Sequence, residues 1–153
     1  MHMFEKIINE LINKNISISF AESCTGGALA STLTKTPGVS KIFKGSFVTY
    51  SIEYKEKMLG VSGDTIEKYG VVSKEVAEEM AKCLKNITSS DISISVTGNA
   101  GPTKGDEKEP LGKVFVGFYY KNLIVDELDL VGSREEIINE VVNHVFQKIS
   151  IMI

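Results

Sequence analysis

Residues 20–27 read Phe20-Ala21-Glu22-Ser23-Cys24-Thr25-Gly26-Gly27 and join a strand pattern to a helix pattern. Before this stretch, apolar residues alternate with serine over residues 16–20, which predicts a β-strand. After it, a segment rich in alanine and leucine predicts a helix to about residue 35, which Pro37-Gly38 ends. The chain therefore passes from strand to helix within this stretch.

The rest of the chain continues the alternation of helices and strands. Apolar spacing and capping residues predict further helices over residues 3–14, 51–59, 64–69, 73–84 and from 133 to the C-terminal end. Strands are predicted over residues 41–50, 91–97, 113–120 and 123–130, and Lys121-Asn122 joins the last two as an antiparallel hairpin. This order predicts an α/β fold, a three-layer α/β/α sandwich whose mixed sheet contains an antiparallel hairpin. No linker or repeat interrupts it, so we expect one domain over residues 1–153.

Composition excludes several classes of protein. The chain has 153 residues, of which 42% are hydrophobic and 24% charged, as in an average globular domain. It has neither a signal-peptide pattern nor an apolar run near the roughly 20 residues of a membrane span, so we expect a cytoplasmic protein with no membrane partner. A net charge of −3 argues against nucleic acid as a partner. Two cysteines and two histidines without zinc spacing predict no disulfide framework, no metal and no cofactor.

The turn after the first strand is the first candidate for chemistry. Ser23 would lie at the positive end of a helix dipole. The backbone amides around it would be free to bind an anion, namely those of Cys24, Thr25, Gly26 and Gly27. Such a turn can hold a phosphate, or it can stabilise the oxyanion formed when Ser23 attacks a carbonyl. The alternative is that Ser23 is an ordinary helix cap and that the glycines allow close helix–strand packing. Cys24 is a weaker candidate nucleophile, because no histidine is suitably placed to partner it.

A second candidate lies at residues 50–55. Tyr50 and Lys55 flank a predicted turn from strand to helix, so both can face one cleft. A serine needs a base to remove its proton, and a partly desolvated lysine can act as that base. Residues 34–57 carry five lysines and two glutamates, and this local excess of +3 suits a phosphate-bearing substrate. The alternative is that Lys55 is a solvated lysine on a surface helix.

Further candidates follow the strand at residues 91–97 and open the last helix. Thr97, Gly98 and Gly101 lie at the predicted carboxyl edge of the sheet, where ligands of α/β proteins bind. The same glycines can instead serve a tight turn that needs positive φ angles. Arg134 is the single arginine of the chain, and it stands in a first helical turn, where the dipole disfavours a cation. A phosphate-binding role would explain it, and a solvated residue beside a helix cap is the alternative.

Six motifs occur in order and at compatible spacing. They are residues 21–27, Thr36-Pro37-Gly38-Val39-Ser40, Val48-Thr49-Tyr50-Ser51 with Lys55, Leu59-Gly60-Val61, Gly70-Val71-Val72-Ser73 and Val96-Thr97-Gly98-Asn99-Ala100-Gly101-Pro102. With this set, residues 4–150 resemble the CinA C-terminal domain family, competence/damage-inducible proteins whose characterised enzymes are nicotinamide-nucleotide amidohydrolases. The resemblance implies an α/β/α sandwich and hydrolysis of nicotinamide mononucleotide to nicotinate mononucleotide and ammonia.

The resemblance also implies roles for individual residues. Ser23 is the expected nucleophile, with Lys55 as its base and Tyr50 shuttling or orienting the proton. Amides of the turn at residues 23–27 are expected to hold the oxyanion. The pyridine nucleotide, above all its phosphate, is expected to bind the loop at residues 101–105 and its neighbours: Thr97, Gly98, Gly101, Gly105 and Arg134. We also expect a homo-oligomer of two or more chains.

The sequence departs from the family pattern in two places. Asn99 stands where the family usually has an apolar residue, and residues 103–109 form a charged run where the family is usually glycine-rich. Longer family members carry an N-terminal nucleotide pyrophosphatase-like domain, for which this chain has no room, so we assign it none of that activity. The altered loop leaves two alternatives open. One is a non-catalytic, competence-associated module that binds nucleotides or proteins, and the other is a serine-dependent amidase of a different amide.

Overall fold

The computed structural model describes residues 2–153. The order of elements is α1 (His2–Lys14), β1 (Ile18–Glu22), α2 (Ala28–Thr34), a 3₁₀ turn (Val39–Lys41), β2 (Phe43–Val48), α3 (Ile52–Tyr54) running into a π-helical turn (Lys55–Leu59), α4 (Gly63–Tyr69), α5 (Lys74–Thr88), β3 (Ile92–Gly98), β4 (Lys113–Tyr120), β5 (Asn122–Asp129) and α6 (Arg134–Met152). No helix in this described range is both long enough and apolar enough to cross a membrane.

Five strands form one mixed sheet in the order β2-β1-β3-β4-β5. Strand β1 pairs in parallel with β2 on one side and with β3 on the other, so that Phe20 lies between Ser46 and Ile94. Strands β3, β4 and β5 are antiparallel neighbours, with Tyr120 opposite Asn122 at the end of the hairpin. The predicted mixed sheet with an antiparallel hairpin is confirmed.

Helices cover both faces of the sheet. Helices α1, α2 and α6 pack on one face, over an apolar core that includes Phe20, Phe118 and Phe146. Helices α4 and α5 pack on the other face, over a second core around Ala21 and Met80. Strands β1 and β3 are buried along almost their whole length, as expected for strands covered on both faces. The predicted α/β/α sandwich is confirmed.

Strand β1 lies slightly later in the chain than its alternating pattern predicts. Asn15 adopts a left-handed conformation with φ 54°, and the amide of Ile16 donates to the carbonyl of Leu11 at 3.0 Å. This backbone closure ends α1 and keeps residue 16 out of the sheet. At its other end β1 runs on to Glu22, which pairs with Val48 of β2. The turn at residues 23–27 therefore follows directly after the last residue of β1 in the sheet.

Three loops meet at one edge of the sheet. Strands β1, β2 and β3 are parallel, so their carboxyl ends lie side by side. Glu22, Val48 and Gly98 are the last residues of these strands. The segments that follow them are residues 23–27 and 49–55, together with the long loop to β4, and this edge is where ligands of open α/β sheets bind.

Candidate active site

A cleft of about 340 Å³ opens at this edge of the sheet. It brings together most of the predicted site residues: Ser23, Cys24, Tyr50, Lys55, Thr97, Gly98, Gly105 and Arg134. The remaining four predicted residues lie outside its lining: Thr25, Gly26, Gly27 and Gly101. The cleft is cationic, because its charged lining residues are two lysines and an arginine and no acidic side chain within residues 2–153 lines it.

Lys55 is buried at the bottom of this cleft, with 1% of its surface exposed. Its Nζ lies 2.9 Å from Ser23 Oγ, 2.8 Å from the carbonyl oxygen of Thr49 and 3.3 Å from the carbonyl oxygen of Tyr50. It forms no ion pair within the part of the chain that the structure describes. Burial without a balancing carboxylate disfavours the ammonium and lowers the pKa of Lys55 to about 8.

The surroundings of Lys55 also suit its neutral form. A neutral amine has two N–H donors and one lone pair. The two donors match the carbonyls of Thr49 and Tyr50, which leaves the lone pair to accept the hydroxyl proton of Ser23. The arrangement can therefore act as a general base on Ser23, with the proton crossing a single hydrogen bond.

Local structure directs Lys55 inward from a short helix. Ser51 begins α3 as its cap, since its Oγ accepts the amide of Tyr54 at 3.1 Å. The helix then widens into the π-helical turn, which Gly60 ends by donating its amide to the carbonyls of Lys55 and Glu56. Widened turns of this kind are frequent at functional sites. The sequence predicted the cap and a helix over residues 51–59, but not the π-helical turn.

Glu22 occupies the N-terminus of α2. This carboxylate is fully buried. It accepts five hydrogen bonds, from the hydroxyls of Thr25 and Ser46 and from the amides of Gly27, Leu29 and Ala30. The protein therefore supplies its own anion at the place where the sequence predicts a site for a bound one.

The prediction that the amides of Gly26 and Gly27 are free is wrong. Gly27 donates to Glu22, and Gly26 donates to the carbonyl of Ser23 at 3.0 Å. The amides of Cys24 and Thr25 take no acceptor within residues 2–153, so these two are the unpaired donors of the turn. A charged residue at the end of a fully buried strand is the sequence signal that could have identified Glu22.

Cys24 lines the cleft beside Ser23 but is poorly suited to nucleophilic attack. Burial raises the pKa of its thiol to about 11, and the nearby cations Lys55 and Arg134 offset only part of that effect. The thiol is therefore protonated near neutral pH, and a thiolate is the reactive form of cysteine. This agrees with ranking Cys24 below Ser23.

Arg134 connects three segments at the rim of the cleft. Its guanidinium donates to the hydroxyl of Tyr50 at 2.5 Å and to the carbonyl of Gly101 at 2.6 Å. The hydroxyl of Tyr50 thus meets Arg134, and only the backbone carbonyl of Tyr50 meets Lys55. Because Ser23 and Lys55 are in direct contact, the proton can pass between them without the Tyr50 hydroxyl, and the role of Tyr50 in shuttling or orienting the proton stays a prediction. Arg134 is exposed beside the cap of α6, but its guanidinium is held by two protein oxygens at the rim of the cleft.

The loop after β3 differs from its predicted role in detail. The hydroxyl of Thr97 donates to the carbonyl of Val71 at 2.7 Å, and Gly98 packs where a Cβ would lie 2.7 Å from Val114. Gly105 lines the cleft, but its amide already donates to Asn99 Oδ1 at 2.9 Å and is therefore not a free donor for a phosphate. Gly101 offers Arg134 a carbonyl and lies outside the cleft.

Several lining residues had no predicted role, whereas Lys104 lies within the loop at residues 101–105 that is predicted to bind the nucleotide. An apolar wall is formed by Ile52, Val71 and Val72, and Lys104 adds a third cation. Val71 and Val72 stand in one of the six motifs, directly before the Ser73 cap of α5, but nothing in their pattern distinguishes a cleft wall from a core. Only the meeting of α3, the α4–α5 connection and the loop after β3 makes them neighbours.

The fold and the cleft together define a class of protein. It is an α/β/α domain with a buried serine–lysine pair at the carboxyl edge of parallel strands, beneath a cationic cleft. Within residues 2–153, no three histidine, cysteine or acidic side chains come together as a metal site.

The chain belongs to the CinA C-terminal domain family, whose model matches residues 1–153. A CinA-like protein of Fervidobacterium nodosum is 50% identical over 136 residues, which are 88% of this chain and 33% of that protein. A CinA-like protein of Petrotoga mobilis is 47% identical over 132 residues, 86% of this chain and 33% of that protein. The chain thus spans about a third of the length of the curated relatives it matches.

Solved structures agree with the family assignment. The crystal structure of a competence-damaged protein (CinA) superfamily protein from Escherichia coli superposes with a TM-score of 0.93 at 30% identity, covering 99% of this chain and 88% of that one. A competence/damage inducible protein from Agrobacterium tumefaciens gives a TM-score of 0.91 at 31% identity, covering 96% and 91% of the two chains. The predicted family and its fold are confirmed.

Proposed function

We propose that this chain is a serine amidohydrolase that converts nicotinamide mononucleotide to nicotinate mononucleotide and ammonia. The observation that carries the proposal is the 2.9 Å contact between Ser23 Oγ and the buried Nζ of Lys55, whose pKa is lowered to about 8. A serine beside a largely desolvated amine is an activated nucleophile. Family membership supports the choice of substrate.

The proposed reaction proceeds through an acyl-enzyme. Neutral Lys55 takes the Ser23 proton as Oγ attacks the carboxamide carbon, and the amides of Cys24 and Thr25 are the donors for the resulting oxyanion. Collapse of this intermediate breaks the C–N bond, and Lys55 returns the proton so that ammonia leaves. Lys55 then deprotonates a water that attacks the ester, which releases the carboxylate and restores Ser23.

The cleft also suits the rest of the nucleotide. Its apolar wall at Ile52, Val71 and Val72 can pack against a pyridine ring, and its cationic lining favours a phosphate. Arg134 keeps guanidinium donors beyond the two that it gives to Tyr50 and Gly101. The proposal treats residues 1–153 as one domain that forms a homo-oligomer. It assigns the enzyme to the cytoplasm, where its two free cysteines would stay reduced.

The test is ammonia release from nicotinamide mononucleotide by purified variants. We expect Ser23→Ala and Lys55→Met each to lower kcat by roughly 10³-fold or more, because nucleophile and base act as one unit. Lys57→Met is the matched control, since this lysine is exposed and pairs with Glu53 on the outer side of the turn. Its rate should equal that of the wild type.

Two outcomes would reject the proposal. A folded Ser23→Ala variant with near wild-type turnover would remove Ser23 from the chemistry. Tight binding of the nucleotide with no ammonia after long incubation would instead identify a non-catalytic nucleotide-binding module. Ser23-dependent hydrolysis of another amide, with none of this nucleotide, would keep the mechanism and change the substrate.

A further inference from the structure

One buried side chain organises the loop that follows β3. Asn99 has 1% of its surface exposed, and its amide group uses its full hydrogen-bonding capacity. Its oxygen accepts the amides of Gly105 and Asp106 at 2.9 and 3.1 Å, and its nitrogen donates to the carbonyls of Asp106 and Glu109 at 2.9 and 3.1 Å. An apolar residue at this position could make none of these contacts. The loop is therefore held in one shape by Asn99.

Asp106 anchors the same loop to the opposite wall of the cleft. Its side chain is buried, and Oδ2 accepts the amide of Val72 at 3.1 Å while Oδ1 accepts the amide of Lys108 at 2.9 Å. Val72 itself lines the cleft. The segment at residues 103–105 is therefore fixed between two buried anchors and forms a defined part of the cleft lining.

The fixed segment carries Lys104 on the cleft lining. Three cations line the cleft. Lys55 is hydrogen-bonded to Ser23, and Arg134 already donates to two protein oxygens. Lys104 makes no hydrogen bond or ion pair from its ammonium within residues 2–153. It is the cleft cation whose donors are all available to a ligand.

We propose that Lys104 is a specificity-determining residue that binds, together with Arg134, the phosphate monoester of the substrate. A phosphate dianion between an ammonium and a guanidinium gains charge-assisted hydrogen bonds that a free hydroxyl cannot make. The amide that reacts at Ser23 is thereby selected in its nucleotide form over its nucleoside form. This inference rests on the proposed function for the identity of the amide.

The experiment compares two ligands that differ only in the phosphate, nicotinamide mononucleotide and nicotinamide riboside. Ammonia release gives kcat and KM, and calorimetry gives Kd for both. We expect Lys104→Met to weaken kcat/KM and Kd for the mononucleotide by roughly tenfold, mainly through KM, and to leave the riboside within about twofold. Lys108→Met is the matched control, because Lys108 is exposed on the same loop, outside the cleft lining.

A second variant tests the role of the anchor. Asn99→Leu removes the four side-chain hydrogen bonds while keeping a similar volume. We expect it to lose the preference for phosphate although Lys104 is present, with the fold monitored by circular dichroism. If the folded variant keeps the full preference, Asn99 does not position Lys104.

The results separate this inference from the proposed function. An equal loss for both ligands, or no loss for either, in Lys104→Met would overturn the role of Lys104 even if Ser23-dependent hydrolysis is observed. A phosphate preference in Kd that depends on Lys104, without any ammonia release, would support the binding role and reject the hydrolase.

Discussion

At the residue scale, burial and hydrogen bonding act together on the Lys55 amine. Desolvation lowers the pKa of Lys55 from 10.5 to about 8, and the neighbouring carbonyls accept hydrogen bonds from either protonation state. A base is most effective when its pKa lies near the working pH. Lys55 is therefore adapted to exchange a proton with Ser23 in the range around pH 8.

The first prediction at this scale concerns pH and rate. Because only the neutral amine can take the Ser23 proton, ammonia release should rise with pH and level off above an inflection near pH 8. The measurement is kcat/KM for nicotinamide mononucleotide from pH 6 to 9.5. A rate that is flat across this range would contradict a role for Lys55 as the base.

The second prediction concerns pH and stability. Below about pH 8 Lys55 is charged in both the folded and the unfolded chain, whereas between about 8 and 10.5 the unfolded chain binds the extra proton. The free energy of unfolding of the wild type, relative to Lys55→Met, should therefore increase with pH across this window, by up to about 3 kcal/mol.

Urea unfolding of both proteins at pH 7.5 and 10 measures this difference. Lys55 and Cys24 shift each other's pKa, so both proteins carry Cys24→Ala in this comparison and the difference between them isolates the contribution of the lysine. A difference that stays constant or falls with pH would show that the Lys55 pKa is not lowered.

At the element scale, Glu22 connects three parts of the fold. It ends β1, caps the N-terminus of α2 through backbone amides, and accepts the hydroxyl of Ser46 on β2. Ser23 is the next residue in the chain. The position of the nucleophile therefore depends on how well Glu22 holds the turn that follows it.

We expect Glu22→Gln to lower the free energy of unfolding by roughly 2–4 kcal/mol, because a buried amide replaces an oxygen that accepts hydrogen bonds. The rate should fall as well, since the turn carrying Ser23 loses part of its support. Glu136→Gln is the control, because Glu136 caps α6 in an exposed capping box. Glu136→Gln should lower the free energy of unfolding much less than Glu22→Gln does, because water solvates the exposed cap.

Thermal and urea unfolding measure both variants. If Glu22→Gln is no less stable than Glu136→Gln, the five hydrogen bonds of Glu22 do not contribute the expected part of the free energy of unfolding.

Local pattern predicted most elements but not all of their ends. The spacing of apolar residues predicted α1, α5 and the strands, and the box formed by Ser133 and Glu136 predicted the start of α6. The start of β1 depended on the left-handed Asn15, and the π-helical turn at Lys55–Leu59 has no pattern of its own. Both are settled by hydrogen bonds that close only in the packed chain.

At the scale of the whole molecule, close approach of α5 to the sheet depends on a glycine. A Cβ on Gly117 of β4 would lie 2.5 Å from Ser95 Oγ and 2.8 Å from the carbonyl oxygen of Ala77 on α5. Ser95 in turn donates to that same carbonyl at 2.6 Å. The height of α5 above the sheet, and with it the Val71–Val72 wall of the cleft, depends on this contact.

We expect Gly117→Ala to lower the free energy of unfolding by about 1–3 kcal/mol, because the added methyl group meets backbone that cannot rotate away. Differential scanning calorimetry should show a lower Tm. Gly105→Ala is the control for stability, since its Cβ would meet Asn99 Oδ1 at an ordinary 3.7 Å and the backbone there is unstrained. An unchanged Tm for Gly117→Ala would mean that the layers separate at little cost.

The order of strands and helices and the α/β class could be read from the printed residues, because each depends on a short-range pattern: period-two or period-3.6 spacing, or a helix cap. Such patterns record how neighbouring residues share a face, and they need no knowledge of distant contacts. Local pattern made Ser23 and Lys55 separate candidates, and only the family resemblance predicted them as a pair.

The contacts and pKa values of the site, in contrast, are determined only by the tertiary structure. Ser23 and Lys55 are 32 residues apart in the chain, and Tyr50 and Arg134 are 84 apart, so only packing brings these groups into contact. The pKa of Lys55 depends on how completely water is removed around it, and the anion at α2 depends on where the Glu22 carboxylate packs. Desolvation and hydrogen-bond pairing are properties of the whole three-dimensional surroundings, so no local spacing along the chain encodes them.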